Sequence, residues 1–193
     1  LDYFMLHWLQ LNEKGAFSKD EELFADFTEE VKADLRVSLR QFVRDIIWSE
    51  SSDYRHFFTG SHIPINQNLA SFYGITGVTG TDFVPASIGN QTGKGVLTHP
   101  YMLSMLAYDD NSSPIHRGVF ITRRLLGRTL KEPPQATELG SAEFPTELTI
   151  REKVTALTEP TACAGCHNII NPLGFSLENY DGVGRYRNQE VGK

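Results

Sequence analysis

The chain of 193 residues contains only two cysteines, Cys163 and Cys166, and it has no long apolar run. A structural zinc site needs four ligands, and His167 follows Cys166 directly without a second ligand pair, so zinc is disfavoured. No stretch approaches the ~20 apolar residues of a transmembrane helix. The net charge of −6 argues against nucleic acid as a general partner.

The start of the chain lacks the features of a signal peptide. Residues 1–5 have no basic segment and are typical of the interior of a helix. We therefore expect a mature or partial product of a longer protein.

The most informative feature is the run Cys163-Ala164-Gly165-Cys166-His167, which spells C-x-x-C-H. This spacing is typical of a c-type haem attachment site. Two thiols three positions apart on one helical turn can each form a thioether with a haem vinyl group, and the histidine that follows can ligate the iron. The motif therefore predicts one covalent haem c, with His167 as the proximal ligand through Nε2.

Two other interpretations of the cysteine pair remain. A thioredoxin-like redox pair needs a preceding strand, but residues 149–158 have the pattern of a helix, so this interpretation is weak. A plain Cys163–Cys166 disulfide in a haem-free domain is the expected state in an oxidising compartment.

Helical periodicity dominates the chain, and the evidence for strands is thin. We predict a mainly α fold, with a helical bundle-like region at residues 1–88 and a haem module at residues 93–193. The predicted helices are 2–12, 28–48, 66–73, 100–108, 114–126 and 149–158, and short strands are predicted at 81–84 and 95–97. Residues 131–147 form a proline-rich linker or wrapping segment.

The segment around the motif resembles a family signature. Residues 163–181 read C-A-G-C-H-N-I-I-N-P-L-G-F-S-L-E-N-Y-D, and residues 184–187 read G-R-Y-R. Upstream, residues 95–99 (G-V-L-T-H) and 113–118 (S-P-I-H-R-G) resemble the start of the same module, and residues 69–74 (L-A-S-F-Y-G) the end of a preceding one. These segments resemble the large cytochrome-c-like proteins of unknown function often labelled planctomycete-type cytochrome c proteins.

The resemblance implies a cytochrome-c-like haem module that is exported to the periplasm or another extracytoplasmic compartment. It implies electron transport with redox protein partners or other modules of a larger complex. By analogy with small cytochromes c, the backbone carbonyl of Pro172 is the candidate acceptor for the Nδ1–H of His167.

The sequence after His167 provides no second axial ligand for the iron, because it contains no methionine or histidine. His99 is the first candidate, since it lies at a loop-to-helix junction where the resembling family commonly has histidine. Met102 and Met105 come next, although methionines at such positions are often core residues. An iron without a second protein ligand would favour a peroxidase-like enzyme with an open distal site.

Arginines are the candidates for binding the haem propionates. Arg185 and Arg187 follow the motif directly. Arg117 belongs to a basic island with Arg123, Arg124, Arg128 and Lys131, in which Arg117, Arg124 and Arg128 share one helical stripe. The island predicts propionate binding or docking to an acidic partner, and a solvated helix face is the alternative.

Overall fold

The computed structural model describes residues 2–10, 17–87, 95–131, 144–145 and 147–190. The chain is mainly α-helical, as predicted. The described residues form the α-helices α1 (Asp2–Trp8), α2 (Glu29–Ile47), α3 (His56–Thr59), α4 (Gln67–Tyr73), α5 (Pro100–Met105), α6 (Pro114–Phe120), α7 (Ile150–Thr158) and α8 (Thr161–Phe175).

Short side chains fix the start of several helices. Thr28 caps α2 by accepting a hydrogen bond from the amide of Val31 at 3.2 Å. Asn66 caps α4 in the same way, and Gly74 ends it in the left-handed conformation. A capping box of Thr149 and Glu152 opens α7.

The strand predictions are wrong in position. The structure pairs β1 (Ile63–Ile65) with β2 (Val84–Ala86) in an antiparallel ribbon. The strand predicted at residues 95–97 is replaced by a 3₁₀ turn over Val96–Thr98. The sequence does not predict β1, because its three residues are too few to show a periodicity and the tertiary pairing with β2 determines it.

The predicted helix at residues 114–126 changes type within its length. The α-helix α6 ends at Phe120, and a π-helical segment follows over Ile121–Leu125. The amide of Leu126 bonds to the carbonyl of Ile121 at 3.0 Å, five residues back. This wider turn breaks the stripe that α-helical spacing predicts for the basic island.

One hydrophobic core joins the two predicted regions. Leu35 and Leu39 of α2 are completely buried in the same cluster as Tyr101 and Met102 of α5. α2 contacts β1, α4 and α5, so it is the central helix of this core. The predicted boundary between residues 1–88 and 93–193 stays a prediction.

Among the described residues, no helix combines the length and the hydropathy needed to cross a bilayer. The predicted linker at 131–147 lies largely outside the described residues, as do the last two residues of the helix predicted at 2–12. Within the described residues this helix, α1, ends at Trp8.

Candidate functional site

The C-x-x-C-H motif occupies the beginning of α8. Pro160 precedes the helix, and its carbonyl accepts the amide of Cys163 at 2.8 Å. Cys163 and Cys166 are half-buried free cysteines. Because they are three residues apart in a helix, both thiols lie on the same side of it. His167 follows in the next turn and is also half-buried.

A chain of three side-chain hydrogen bonds orients the imidazole of His167. Its Nδ1 lies 2.9 Å from Oδ1 of Asn171. Nδ2 of Asn171 donates to Oγ1 of Thr158 at 2.8 Å, and that hydroxyl donates to the carbonyl of Val154 at 2.7 Å. The network therefore ties α8 to the end of α7.

This network determines which nitrogen of His167 carries the proton. The Thr158 hydroxyl gives its hydrogen to a carbonyl, which can only accept, so it must accept from the amide of Asn171. The amide oxygen of Asn171 then faces His167, and Nδ1 must be the protonated nitrogen. Nε2 keeps its lone pair, which is the arrangement of a metal-ligating histidine whose other nitrogen donates to an outer partner.

In this structure the Nδ1 atom of His167 is not bonded to the carbonyl of Pro172. Pro172 lies inside α8 and its carbonyl accepts the amide of Ser176 at 3.3 Å. The orienting acceptor is Asn171, which sequence analysis missed. The available signal was the spacing, since residues at i and i+4 of a helix meet on its surface.

Two glycines set the position of α8 against α6. A Cβ atom built on Gly174 would lie 1.9 Å from the carbonyl oxygen of Pro114. One built on Gly118 would lie 2.2 Å from the carbonyl oxygen of Ile170. Backbone therefore touches backbone at two points along the crossing. The motif helix contacts both α6 and α7, and these two helices also contact each other.

Arg117, a predicted propionate partner, is buried and engaged by backbone carbonyls in this structure. Its side chain has 0% exposure. The guanidinium donates to four backbone carbonyls: Leu177 at 2.8 Å, Tyr180 at 2.8 Å, Asp181 at 2.7 Å and Leu103 at 3.4 Å. It fastens the segment that follows α8 to the end of α5. The burial of Arg117 could not be predicted, because helical spacing does not reveal which side of a helix the fold covers.

Arg117 also pairs with a buried carboxylate. Nη1 lies 3.2 Å from Oε1 of Glu178, whose other oxygen accepts the hydroxyl of Ser112 at 2.6 Å. Burial raises the pKa of Glu178, and burial lowers the pKa of Arg117 to about 10. The arginine therefore stays charged at neutral pH. Its Nε atom has no hydrogen-bond partner among the described residues.

The two arginines after the motif are also engaged in structural contacts. Arg187 donates to the carbonyl of Glu178 at 3.2 Å and to the hydroxyl of Ser112 at 3.0 Å. Arg185 pairs with Asp26, and its guanidinium lies 4.1 Å from the ring centroid of Phe72. Neither is free for a propionate in this conformation. Both secure the segment that follows the motif.

His99 caps a helix inside the core, with both ring nitrogens occupied. Nδ1 accepts the amide of Tyr101 at 3.2 Å, and Nε2 lies 3.2 Å from the hydroxyl of Ser38. That hydroxyl donates to the carbonyl of Pro64 at 2.5 Å, so it accepts from Nε2–H. His99 has 1% exposure. No lone pair is left for iron, so this structure does not support His99 as the second ligand.

The methionine candidates are core residues in this structure. Met102 and Met105 on α5 have 1% and 3% exposure and belong to the hydrophobic core cluster. Flexible thioether side chains commonly fill such gaps. The structure therefore offers neither methionine to an iron at His167 without a rearrangement of the core.

We expect His99 to make stability depend on pH. Burial lowers its pKa to about 3 from 6.5. Between these values the unfolded chain binds a proton that the folded chain does not, so stability falls as the pH falls. At ~1.4 kcal/mol per unit, the loss attributable to His99 is about 3 kcal/mol between pH 6.5 and pH 4.

The matched variant for this prediction is His99→Asn, which keeps a capping acceptor and removes the titration. Urea unfolding of both proteins across this pH range measures the effect. The stability advantage of the wild type over the variant should shrink as the pH falls. An advantage that is independent of pH would contradict the prediction.

Comparison with known families divides the chain at the same place as the sequence resemblance. The profile of PSCyt3, a protein of unknown function (DUF1588), matches residues 93–190. The chain belongs to this family. A second profile, PSD4, also a protein of unknown function (DUF1592), matches residues 1–75. Both are planctomycete-type cytochrome-c-like families of unknown function, so the resemblance is confirmed at the family level.

The comparison with curated proteins and the comparison with solved structures found no match.

Proposed function

We propose that this PSCyt3 chain is a c-type cytochrome module that carries one covalent haem and transfers electrons within a larger exported protein or complex. The observation that carries the proposal is the hydrogen-bonded network that leaves Nε2 of His167 with a free lone pair. Its compartment would be the periplasm or another extracytoplasmic space, and its partners would be redox proteins or further modules.

The residues present fit a haem c. Cys163 and Cys166 are half-buried free cysteines on one side of α8, so both would hold the vinyl groups as thioethers. His167 would ligate the iron, and Asn171 and Thr158 would keep its ring in place. When bound, the haem would supply one-electron chemistry through its iron.

The porphyrin supplies the equatorial ligands, so the protein needs only axial ones. This agrees with the composition of the site. Across residues 2–10, 17–87, 95–131, 144–145 and 147–190, no group of three or more His, Cys, Asp or Glu side chains could hold a metal ion. A single well-oriented histidine beside two thiols therefore supports the ligation of a haem iron better than it supports a metal ion held by side chains alone.

The haem itself is tested by the reduced-minus-oxidised spectrum of the denatured protein in pyridine. We expect the absorption band of a haem c in which both vinyl groups have formed thioethers. The sample must come from a host that attaches haem to C-x-x-C-H motifs outside the cytoplasm. Absence of the band from such material would contradict the proposal.

Asn171→Ala should raise the reduction potential of the haem. Loss of the acceptor makes His167 a less basic ligand, which weakens its preference for the oxidised iron. A change of up to about tenfold in the affinity of His167 for oxidised iron relative to reduced iron corresponds to a shift of up to about 59 mV in a one-electron potential. We expect a rise of roughly 20–60 mV in a spectroelectrochemical titration.

The control for this variant is Asn168→Ala. Asn168 is exposed on the same helix and adjoins His167 in sequence. Its replacement should leave the potential unchanged. An equal shift in both variants would show that Asn171 does not act through the imidazole.

A haem enzyme with an open distal site is the second candidate. The placement of His99, Met102 and Met105 in the core favours it, because none of them offers a free donor to the iron. Binding of carbon monoxide to the native reduced protein distinguishes the two functions. Rapid binding would favour the open site, and no binding would favour an iron with two protein ligands.

A further inference from the structure

A groove of about 500 Å³ lies on the side of α6 away from the motif helix. Gly118 and Pro114 of α6 face α8, whereas Val119 and Phe120 line the groove. At about 100° per residue, these two pairs lie on different sides of the helix. The groove is therefore separate from the proposed haem site.

The floor of the groove is apolar. Leu106 and Phe120 line it with 5% and 2% exposure, and Val119 and Leu130 add partly buried surface. The volume of the groove lies within the range of clefts that bind small molecules, commonly about 300–1,000 Å³. A docking surface for a folded protein is flatter and buries about 800 Å² on each partner. The shape therefore favours a small ligand.

The rim of the groove is positively charged. Arg123, Arg124 and Arg128 line it, and its described lining contains no aspartate or glutamate. The chain as a whole has a net charge of −6. Arg123 and Arg128 are exposed, and neither forms an ion pair with the described residues. Guanidinium groups bind carboxylates and phosphates in a bidentate manner.

The local backbone places these arginines together. The π-helical segment Ile121–Leu125 widens the turn, and Gly127 then adopts φ +62°. The left-handed conformation of Gly127 reverses the chain direction, and the amide of Arg128 bonds to the carbonyl of Thr122 at 3.0 Å. Residue 128 therefore folds back beside residues 122 and 123. π-helical turns are frequent at functional sites. On the other side, the indole of Trp8 donates to the carbonyl of Arg124 at 2.8 Å and holds the segment in place.

We propose that this groove binds a small organic anion that joins a phosphate or carboxylate to an apolar body. The apolar part would lie against Val119 and Leu130, above the buried Leu106 and Phe120, and the acidic group would lie between Arg123 and Arg128. The site is independent of the haem proposal, because it uses none of the motif residues and lies on the other side of α6.

The test uses the full chain and three probes at fixed ionic strength: phenyl phosphate, inorganic phosphate and phenol. We expect phenyl phosphate to bind at one site, and each of the other two to bind at least about tenfold more weakly, because each lacks half of the recognised chemistry. Benzoate in place of phenyl phosphate distinguishes a carboxylate site from a phosphate site. Methyl shifts of Val119 and Leu130 in NMR spectra should locate the ligand in the groove.

Substitutions separate specific binding from general attraction. Arg123→Gln and Arg128→Gln should each weaken phenyl phosphate about tenfold, the loss of one charge-assisted bond. Arg40→Gln is the control, since Arg40 is exposed on α2, and it should change nothing. Absence of saturable binding, or equal losses in all three variants, would overturn the proposal. The proposal would also be overturned if the chain bound a glutamate hexapeptide but did not bind phenyl phosphate, because this result would indicate a protein partner.

Discussion

Replacing Gly174 with alanine is expected to destabilise the protein by about 3 kcal/mol or more, because a methyl group has no room at this helix crossing. Its Cβ would lie 1.9 Å from the carbonyl oxygen of Pro114. That atom belongs to the backbone of α6 and cannot rotate away. α6 and α8 would have to separate, and the contacts along the crossing would be lost. Urea unfolding monitored by circular dichroism measures the change.

Gly165→Ala is the matched control for this prediction. Gly165 lies on the same helix, and a Cβ there would meet no atom within 4 Å. Alanine is a better helix former than glycine, so this variant should gain up to about 1 kcal/mol. Similar stabilities of the two variants would show that the close crossing of α6 and α8 does not hold the motif helix.

Replacing Arg117 with methionine is expected to cost about 3–5 kcal/mol, because it removes one partner of a buried ion pair. The carbonyls of Leu177, Tyr180 and Asp181 in the segment after α8 would lose the guanidinium as a donor. The amides of Tyr180 and Gly184 would still reach the carbonyls of Leu177 and Asp181. Glu178 would keep only Arg187 and Ser112 as partners. The lost charge-assisted hydrogen bonds to these carbonyls add to the cost.

A double-mutant cycle with Glu178→Gln tests this explanation. If the uncompensated carboxylate causes much of the loss, the double variant should lose clearly less than the sum of the two single variants. Arg40→Met, an exposed substitution on α2, should change stability by less than about 0.5 kcal/mol. An additive cycle would mean that Arg117 and Glu178 stabilise the fold independently.

The parts of the fold that sequence predicts well depend on local chemistry. Thr28 and the Thr149–Glu152 capping box mark helix starts because the capping side chain bonds to an amide only three residues away. The helical turn at the C-x-x-C-H motif is predictable from the local spacing of its residues, although no side chain caps the start of α8. These signals need no knowledge of the tertiary structure.

The wrong predictions concern residues whose surroundings come from distant parts of the chain. His99 is a helix cap, as its place at a loop-to-helix junction allows, but Ser38 of α2 occupies its second nitrogen. Arg117 is buried because the segment at residues 177–181 folds over it. The prediction that Arg117, Arg124 and Arg128 share one helix face is wrong, because the helix becomes π-helical after Phe120. Neither the covering segment nor the change of helix type can be read from residue spacing.

The proposed site is tested most directly by the mass of the denatured chain from a host that attaches haem c. We predict a mass increase of one haem that survives denaturation and maps to the peptide with Cys163 and Cys166. The Cys163→Ser/Cys166→Ser variant should carry none. A chain recovered without haem, at its unmodified mass less two hydrogens, would indicate a Cys163–Cys166 disulfide and contradict the account.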